Sequence, residues 1–491
     1  MEHQSVRRTL TGSEYERFKI LTSSAPPRRK QPRPFNPEVD RTRLAKWLVG
    51  EILGYRFKLR HGAYRKALLS RPCIYGTFSG HFGGFHPIKD KCVGCMRCVQ
   101  EHPDMCRVSR NPGFFDFPDS YWIPKDPVTD VSSPVATVSY EASTGKIPIK
   151  GMGYRGSFAD EGWNSMWTDM SEIVRPTRDG VYGREYISTL VDLGRKPKFL
   201  EFNEKQPVRV CKTIQIPVPI IFGYLPENLN NPSIVKSAAA AAEHLGILHI
   251  ASPGQLRNID DSLRKRIVPL VISSDLSEHA RMITDAPAIE LAEHESRLVE
   301  KVRELNPEAP ISVRLPLTEN AGAHAAKMAR EGVDVIHGFA DYHGRGWESD
   351  NPRFVDDLIR SIHGTLVRES LRDEITLIAS GGITLAEHVP KAIACGADLV
   401  ALDTTTLVAL QARLEGECTS SENGRIASEK FDEKWGEQRL VNLVGSWHDQ
   451  LIEILSAMGI RDVRRLRGDL GRAMFREDLE KEAFNDIIQR A

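Results

Sequence analysis

After about residue 205 the chain alternates two textures. Short β-branched runs at 216–223, 245–251, 267–273, 288–291, 311–315, 333–337, 375–380 and 399–403 have the length of strands. Stretches with helix-like patterning, 233–244, 296–305, 321–331, 351–369 and 386–395, lie between most of them. Eight βα units across roughly 200 to 250 residues have the size of a TIM barrel, whose active site lies where the strands end. Upstream, Leu44, Trp47, Leu48, Ile52 and Leu53 keep helical spacing, and residues 107–190 carry many prolines, glycines and tryptophans with few periodic runs. The organisation expected is a basic, proline-rich arm (1–40), poorly ordered or draped; a helical lead-in with a cysteine module (41–110); an irregular connector (111–200); an α/β barrel (201–470); and a tail helix (471–491).

Composition narrows the partners. At 491 residues the chain exceeds the size at which one core stops growing, so more than one folding unit is expected. Lysine plus arginine equal aspartate plus glutamate at 66 each, which leaves no overall field favouring nucleic acid or an anionic membrane. No apolar stretch approaches the ~20 residues needed to cross a bilayer. Met1-Glu-His-Gln lacks the layout of a signal peptide, so a cytoplasmic protein is expected, with homo-oligomerisation left open.

Four of the eight cysteines fall in Lys91-Cys-Val-Gly-Cys-Met-Arg-Cys-Val-Gln-Glu-His-Pro-Asp-Met-Cys106. Cys92, Cys95 and Cys98 repeat every third residue, a spacing that wraps three thiolates around one face of a cubane while backbone N–H groups meet its sulfides. A structural zinc site usually draws two short-spaced pairs from separate knuckles. An iron–sulfur cluster of the 4Fe-4S kind is therefore favoured over zinc and over free thiols. His102-Pro103 stands where a bacterial ferredoxin run places its fourth cysteine before proline, so Cys106, His102 and Cys73 are the candidates for the last ligand. Cys106, with Pro103 turning the chain back, is the one expected. Cys211, Cys395 and Cys418 stand alone and read as buried apolar thiols.

Ser380-Gly381-Gly382 follows the seventh predicted strand and Asp403-Thr404-Thr405-Thr406 the eighth, the two places where such barrels hold phosphate against free N–H groups. A glycine pair alone is more often a turn; hydroxyl residues after the next strand turn the reading toward a phosphorylated cofactor held by Gly381, Gly382, Thr404 and Thr405. FMN is the economical choice, because an iron–sulfur module beside such a barrel pairs one-electron delivery with a two-electron carrier. Gly223, Tyr224 and Gln255 end the first two strands and are flavin-contact candidates by position. His337, Asp341, His343 and Arg345 follow the sixth strand as candidates to face a substrate, His343 first among them. Glu290 ends the fourth strand, and alternation points it either into the barrel or toward the helices.

Residues 170–197, the strands at 216 and 311–315, residues 380–418 and the tail 441–467 resemble the FMN-binding synthase domain of the glutamate synthase family, over roughly residues 145 to 470. The cysteine module resembles the ferredoxin-like insert of its short, archaeal-type members. The resemblance implies a barrel that binds FMN and reduces the imine of 2-oxoglutarate and ammonia to glutamate. Three departures stand out. Arg314 replaces the family's fifth-strand lysine and remains a cation able to face the flavin pyrimidine that the resemblance implies, although its planar fork differs from an ammonium. The basic, glycine-rich loop after the fourth strand is replaced by Ala292-Glu-His-Glu295. Beyond Cys418 no cysteine remains for the family's 3Fe-4S site, and no cysteine nucleophile or glutaminase domain precedes the barrel. The activity expected is reduction of an imine, or oxidation of an amine, next to a carboxylate in an amino or keto acid, with electrons from a ferredoxin or a partner subunit. The alternative is a degenerate barrel kept as an electron-transfer or scaffold subunit.

Overall fold

The computed structural model describes residues 18–28, 35–46, 49, 73, 76–78, 86–92, 94–110, 134–147, 162–168, 186–199, 202–203, 206–207, 212–257, 259–272, 276, 280–347, 352–412, 414–416, 424–426, 430–479 and 481–482. Most of the lead-in helix, most of the Gly76 loop, and the lone thiols Cys211 and Cys418 lie outside the described residues.

Near the cysteines, strand β1 (Phe35–Val39) pairs antiparallel with β2 (Cys106–Arg110), and the short helix α1 (Arg97–Glu101) lies just before β2. Residues 35–39 thus leave the arm and join the cysteine module. A small core of Leu44, Phe78, Met105 and Cys106 packs beneath them.

Helix α2 (Pro134–Thr144) precedes the barrel. Each predicted β-branched run then yields one parallel strand: β3 (Ile220–Phe222), β4 (His249–Ala251), β5 (Ile267–Val271), β6 (Ile289–Leu291), β7 (Ile311–Pro316), β8 (Val335–Phe339), β9 (Thr376–Ser380) and β10 (Leu399–Leu402). Each pairs with the next, and β10 closes on β3 with Leu402 opposite Phe222. Helices α3 (Pro232–Leu245), α4 (Pro253–Leu256), α5 (Ala280–Thr284), α6 (Ser296–Leu305), α7 (Ala321–Arg330), α8 (Val355–Arg368), α9 (His388–Ala394) and α10 (Thr404–Ala409) alternate with the strands. The architecture is a (β/α)8 barrel, as its periodicity predicted.

Turn chemistry explains where the helices begin and end. Asn231 caps α3, accepting from the Ile234 N–H at 3.0 Å, with Pro232 in the first turn and Gly246 in the left-handed conformation at its end. The antiparallel pair Val191–Arg195 and Lys212–Ile216 sits against the N-terminal ends of the strands: Thr376, first in β9, accepts from the Gly194 N–H at 3.0 Å and donates to the Gly194 carbonyl at 2.8 Å. The opposite, C-terminal mouth is left to line a site. Helix α11 (Glu433–Ala457) packs against α2 and α3. In the stretch expected as a tail helix, a short strand, Ala473–Phe475, pairs with Met166–Thr168 before residues 476–479 become helical.

Candidate active site

Register brings an inward row of polar side chains together at the barrel mouth. Glu290 lies opposite Ser312, Arg314 opposite His337, and Phe339 opposite Ser380, so side chains from β6, β7, β8 and β9 share the interior. Glu290, undecided by alternation, therefore points inward. His337 Nδ1 lies 2.9 Å from Glu290 Oε2, and His337 Nε2 lies 2.9 Å from Ser380 Oγ. Ser312 donates to Glu290 Oε2 at 3.1 Å, and Arg314 reaches Glu290 Oε1 at 3.4 Å. Burial pushes the Glu290 carboxyl up, but His337, Arg314 and Ser312 outweigh it and hold it below the usual carboxylate range. An ionised carboxylate only accepts, so Nδ1 carries a proton toward it.

A cavity of about 230 Å³ opens above this row, with Gly223, Tyr224, Arg314, His337, Ser380 and Asp403 on its wall. Among the described residues Arg314 is the only lysine or arginine there. Its guanidinium sits 4.4 Å from the Phe339 ring centre and 5.9 Å from that of Tyr224, stacked as an ammonium would not be. From the acidic loop only Ala292 reaches the cavity; Glu293 and Glu295 are exposed, and His294 turns to Glu331 at 3.4 Å.

The residues expected to hold a phosphate lie at neighbouring strand ends. Gly381 and Gly382 have φ of 96° and 68°, and a Cβ on Gly382 would come 2.8 Å from the Gly344 Cα. Glycine here serves both the turn and a close approach of two loops. The N–H groups of this pair enter no hydrogen bond among the described residues, which leaves them available to an anion. The threonines do not offer their hydroxyls: Thr404 donates to Asp403 Oδ1 at 3.0 Å and Thr405 to the Ile383 carbonyl at 2.6 Å. The Asp403 carboxylate accepts the Thr404 N–H and so caps α10 at the place where an anion would dock. Burial raises its pKa despite those bonds, which favours the neutral carboxyl an incoming phosphate needs.

Gln255 and His343 lie off the cavity wall. Gln255 completes a capping box with Ser252 and donates to the Leu225 carbonyl at 2.7 Å, holding the start of α4. His343 is half-buried, and its pKa is pulled down to about 4, by burial first and Arg345 second. The Glu290–His337–Ser380 row was hidden in the sequence, because only the barrel's curvature turns the inward side chains of β6, β8 and β9 toward one another, with β7 lying between β6 and β8. Its one signal was a carboxylate inside an otherwise apolar run.

In the cysteine module Cys73 opposes ionisation of Cys92 and Cys95, and Cys106 opposes that of Cys98. Burial pushes the Cys92 thiol up to about 11, and the neighbouring thiols add to the rise. Among the described residues no three metal-ligating side chains converge tightly enough to hold a single ion. Cys395 is buried and donates toward the Met166 sulfur at 3.7 Å, as a lone apolar thiol should.

The conserved region of glutamate synthase matches residues 277–461. An archaeal-type glutamate synthase (NADPH) of Dehalococcoides mccartyi is 26% identical over 448 residues, covering 77% of this chain and 86% of that protein. The archaeal glutamate synthase (NADPH) of Archaeoglobus fulgidus is 25% identical, with coverage of 77% and 85%. Among solved structures, the flavin-binding domain of baker's yeast flavocytochrome b2 aligns with a TM-score of 0.42 at 11% identity, covering 72% of this chain and 81% of that one.

Proposed function

We propose that this chain, which belongs to the glutamate synthase family, is an FMN and iron–sulfur oxidoreductase that reduces an imine, or oxidises an amine, next to a carboxylate. One observation carries the reading. The conserved region 277–461 spans β6 through β10, and these strands supply Glu290, Arg314, His337, Ser380 and Asp403 to one end of the barrel.

The residues at the mouth suit a flavin. Tyr224, Gly223 and Arg314 would meet its ring system, and the N–H groups of Gly381 and Gly382 its phosphate. Bound FMN supplies reversible two-electron transfer. Arg314 then holds negative charge in the cavity, on the flavin pyrimidine or on a substrate carboxylate, while Phe339 and Tyr224 keep its fork oriented. Glu290 fixes His337, and His337 with Ser380 holds a proton at the cavity wall. In the cysteine module, Cys92, Cys95 and Cys98 with Cys106 would hold a 4Fe-4S cluster, which supplies one-electron transfer. A ferredoxin or partner subunit is the electron donor in this reading, and the protein works in the cytoplasm.

A dicarboxylate needs two cationic contacts, and the described cavity wall offers Arg314 alone. The substrate is therefore an amino or keto acid with a single carboxylate near the reacting carbon, and 2-oxoglutarate with ammonia is turned over poorly. Anaerobic purification followed by an absorption spectrum, release of flavin on denaturation, and iron and sulfide analysis test the proposal. A yellow-brown protein that yields FMN, iron and sulfide is expected. A colourless protein that releases no flavin and fails to bind added FMN would return the chain to the scaffold reading.

A further inference from the structure

With the FMN ring against Gly223 and Tyr224 and its phosphate on Gly381 and Gly382, the wall that remains for a substrate is apolar: Leu270, Ile272, Ala292, Tyr342 and Trp347. Ile272 follows β5, and Tyr342 and Trp347 stand on the loop after β8. Ile272 is 65% exposed and Trp347 42% exposed, and both border the cavity rather than lying scattered over the surface. On the footing of the FMN reading, we propose that the amino or keto acid handled here carries a large apolar side chain, aromatic or branched, and that Trp347 is the residue that selects it.

Trp347 is built to present its ring. Its N–H donates to the Leu317 carbonyl at 2.9 Å and its indole Nε1 to the Phe339 carbonyl at 2.9 Å. An indole whose N–H is already committed to the main chain offers a ligand only apolar surface. The loop itself is pinned, since a Cβ on Gly346 would come 2.9 Å from the Leu317 carbonyl oxygen and Gly344 packs on Gly382 of the phosphate turn. The side chain is therefore positioned relative to the cofactor. Phe339 links the two ends of the substrate space: the Arg314 guanidinium lies 4.4 Å from its ring centre, and the Trp347 ring meets it edge-on with centres 5.7 Å apart. A carboxylate held on Arg314 thus lies about one aromatic ring away from the Trp347 surface.

Charge points the same way. Asp341 and Asp403 share the cavity wall with Arg314, and the Asp341 carboxylate is held in place by the N–H groups of His343 at 2.9 Å and Arg345 at 2.7 Å. A second carboxylate on the substrate would meet these acids with no further cation on the described wall. A hydrocarbon side chain would instead cover Trp347 and Ile272 and remove their apolar surface from water.

The full-length protein loaded with FMN is titrated with phenylpyruvate, pyruvate, 2-oxopentanoate and 2-oxoglutarate, and the shift of the flavin absorption band gives each dissociation constant. Phenylpyruvate should bind about tenfold or more tightly than pyruvate. The same margin is expected for 2-oxopentanoate over 2-oxoglutarate, which has the same carbon chain with a carboxylate in place of the terminal methyl group. Trp347→Ala should weaken phenylpyruvate about tenfold or more and leave pyruvate and FMN bound as before. Trp347→Arg supplies a second cation and should reverse the second preference in favour of 2-oxoglutarate. A native protein that prefers 2-oxoglutarate, or a Trp347→Ala variant that binds phenylpyruvate at native strength or loses all ligands alike, overturns the assignment. Uptake of FMN is scored first from the flavin itself. A protein that takes up none sinks the oxidoreductase reading and this inference together, whereas one that binds FMN and shows neither preference sinks this inference alone.

Discussion

Asp403 decides how readily the barrel mouth accepts a phosphate. Its carboxylate already satisfies the first N–H of α10, so a bound phosphate meets a group of like charge unless Asp403 takes up a proton. Asn at this position keeps a cap oxygen and removes the charge. Asp403→Asn is expected to lower the dissociation constant for FMN about tenfold at neutral pH, the equivalent of roughly 1.4 kcal/mol of repulsion. Titration by quenching of flavin fluorescence measures it. The native protein should also bind FMN more tightly as pH falls, while the variant stays flat. Equal affinities would mean that the phosphate does not dock at α10.

Among the elements, the described part of the amino-terminal arm is draped over the barrel's last long helix. Residues 18–28 lie along α11: Asn442 donates to the Ser23 carbonyl at 2.6 Å and accepts the Ser23 N–H at 3.1 Å. Arg28 stacks on Phe431 and Trp435. Gly445 makes room for the crossing, since a Cβ there would come 2.7 Å from Thr22. Arg439, fully buried, ties three segments together by donating to the Ala409 and Ala25 carbonyls and to Ser143 Oγ. Arg439→Leu leaves those buried acceptors unpaired and should cost on the order of 3 kcal/mol. A lowered urea midpoint and faster proteolysis between residues 18 and 28 are the expected signs; an arm that stays protected would mean the Asn442 contacts suffice. In the cysteine module, Cys106→Ala should convert a reconstituted 4Fe cluster to a 3Fe or apo form, read by electron paramagnetic resonance. An intact cluster there, with loss in Cys73→Ala, would assign the ligand to Cys73.

For the whole molecule, burial sets the response to acid. His249, His343 and His363 are each held down to about 4, in every case by burial first. A depressed histidine contributes stability above its unfolded value near 6.5, and that stability is lost as pH falls from there toward the folded value. Asp341 and Asp356, raised to about 6 by burial, oppose this, since they favour the folded state on acidification through the same window. His249, completely enclosed between β3 and β4, isolates the histidine effect. His249→Asn should lose roughly 2 kcal/mol less stability than the native protein between pH 7 and pH 5. Parallel urea titrations at the two pH values check it, and identical slopes would show that His249 does not titrate on unfolding.

The sequence by itself determined the number and order of the strands, because each β-branched run is a local property and a parallel barrel places consecutive runs side by side. It also determined the thiol repeat and the glycine pair at 381–382, whose meaning lies in spacing over a few residues. What only the tertiary structure decided depends on residues far apart in the chain. Glu290 turned inward once closure of the barrel fixed which face was the interior, and with it came the contact to His337, 47 residues away, whose other ring nitrogen meets Ser380. Gln255 and His343 had the right positions by strand order, yet local capping took one and burial outside the cavity the other. Composition could not show that residues 18–28 would lie along α11, because the partners that hold them lie some 400 residues downstream.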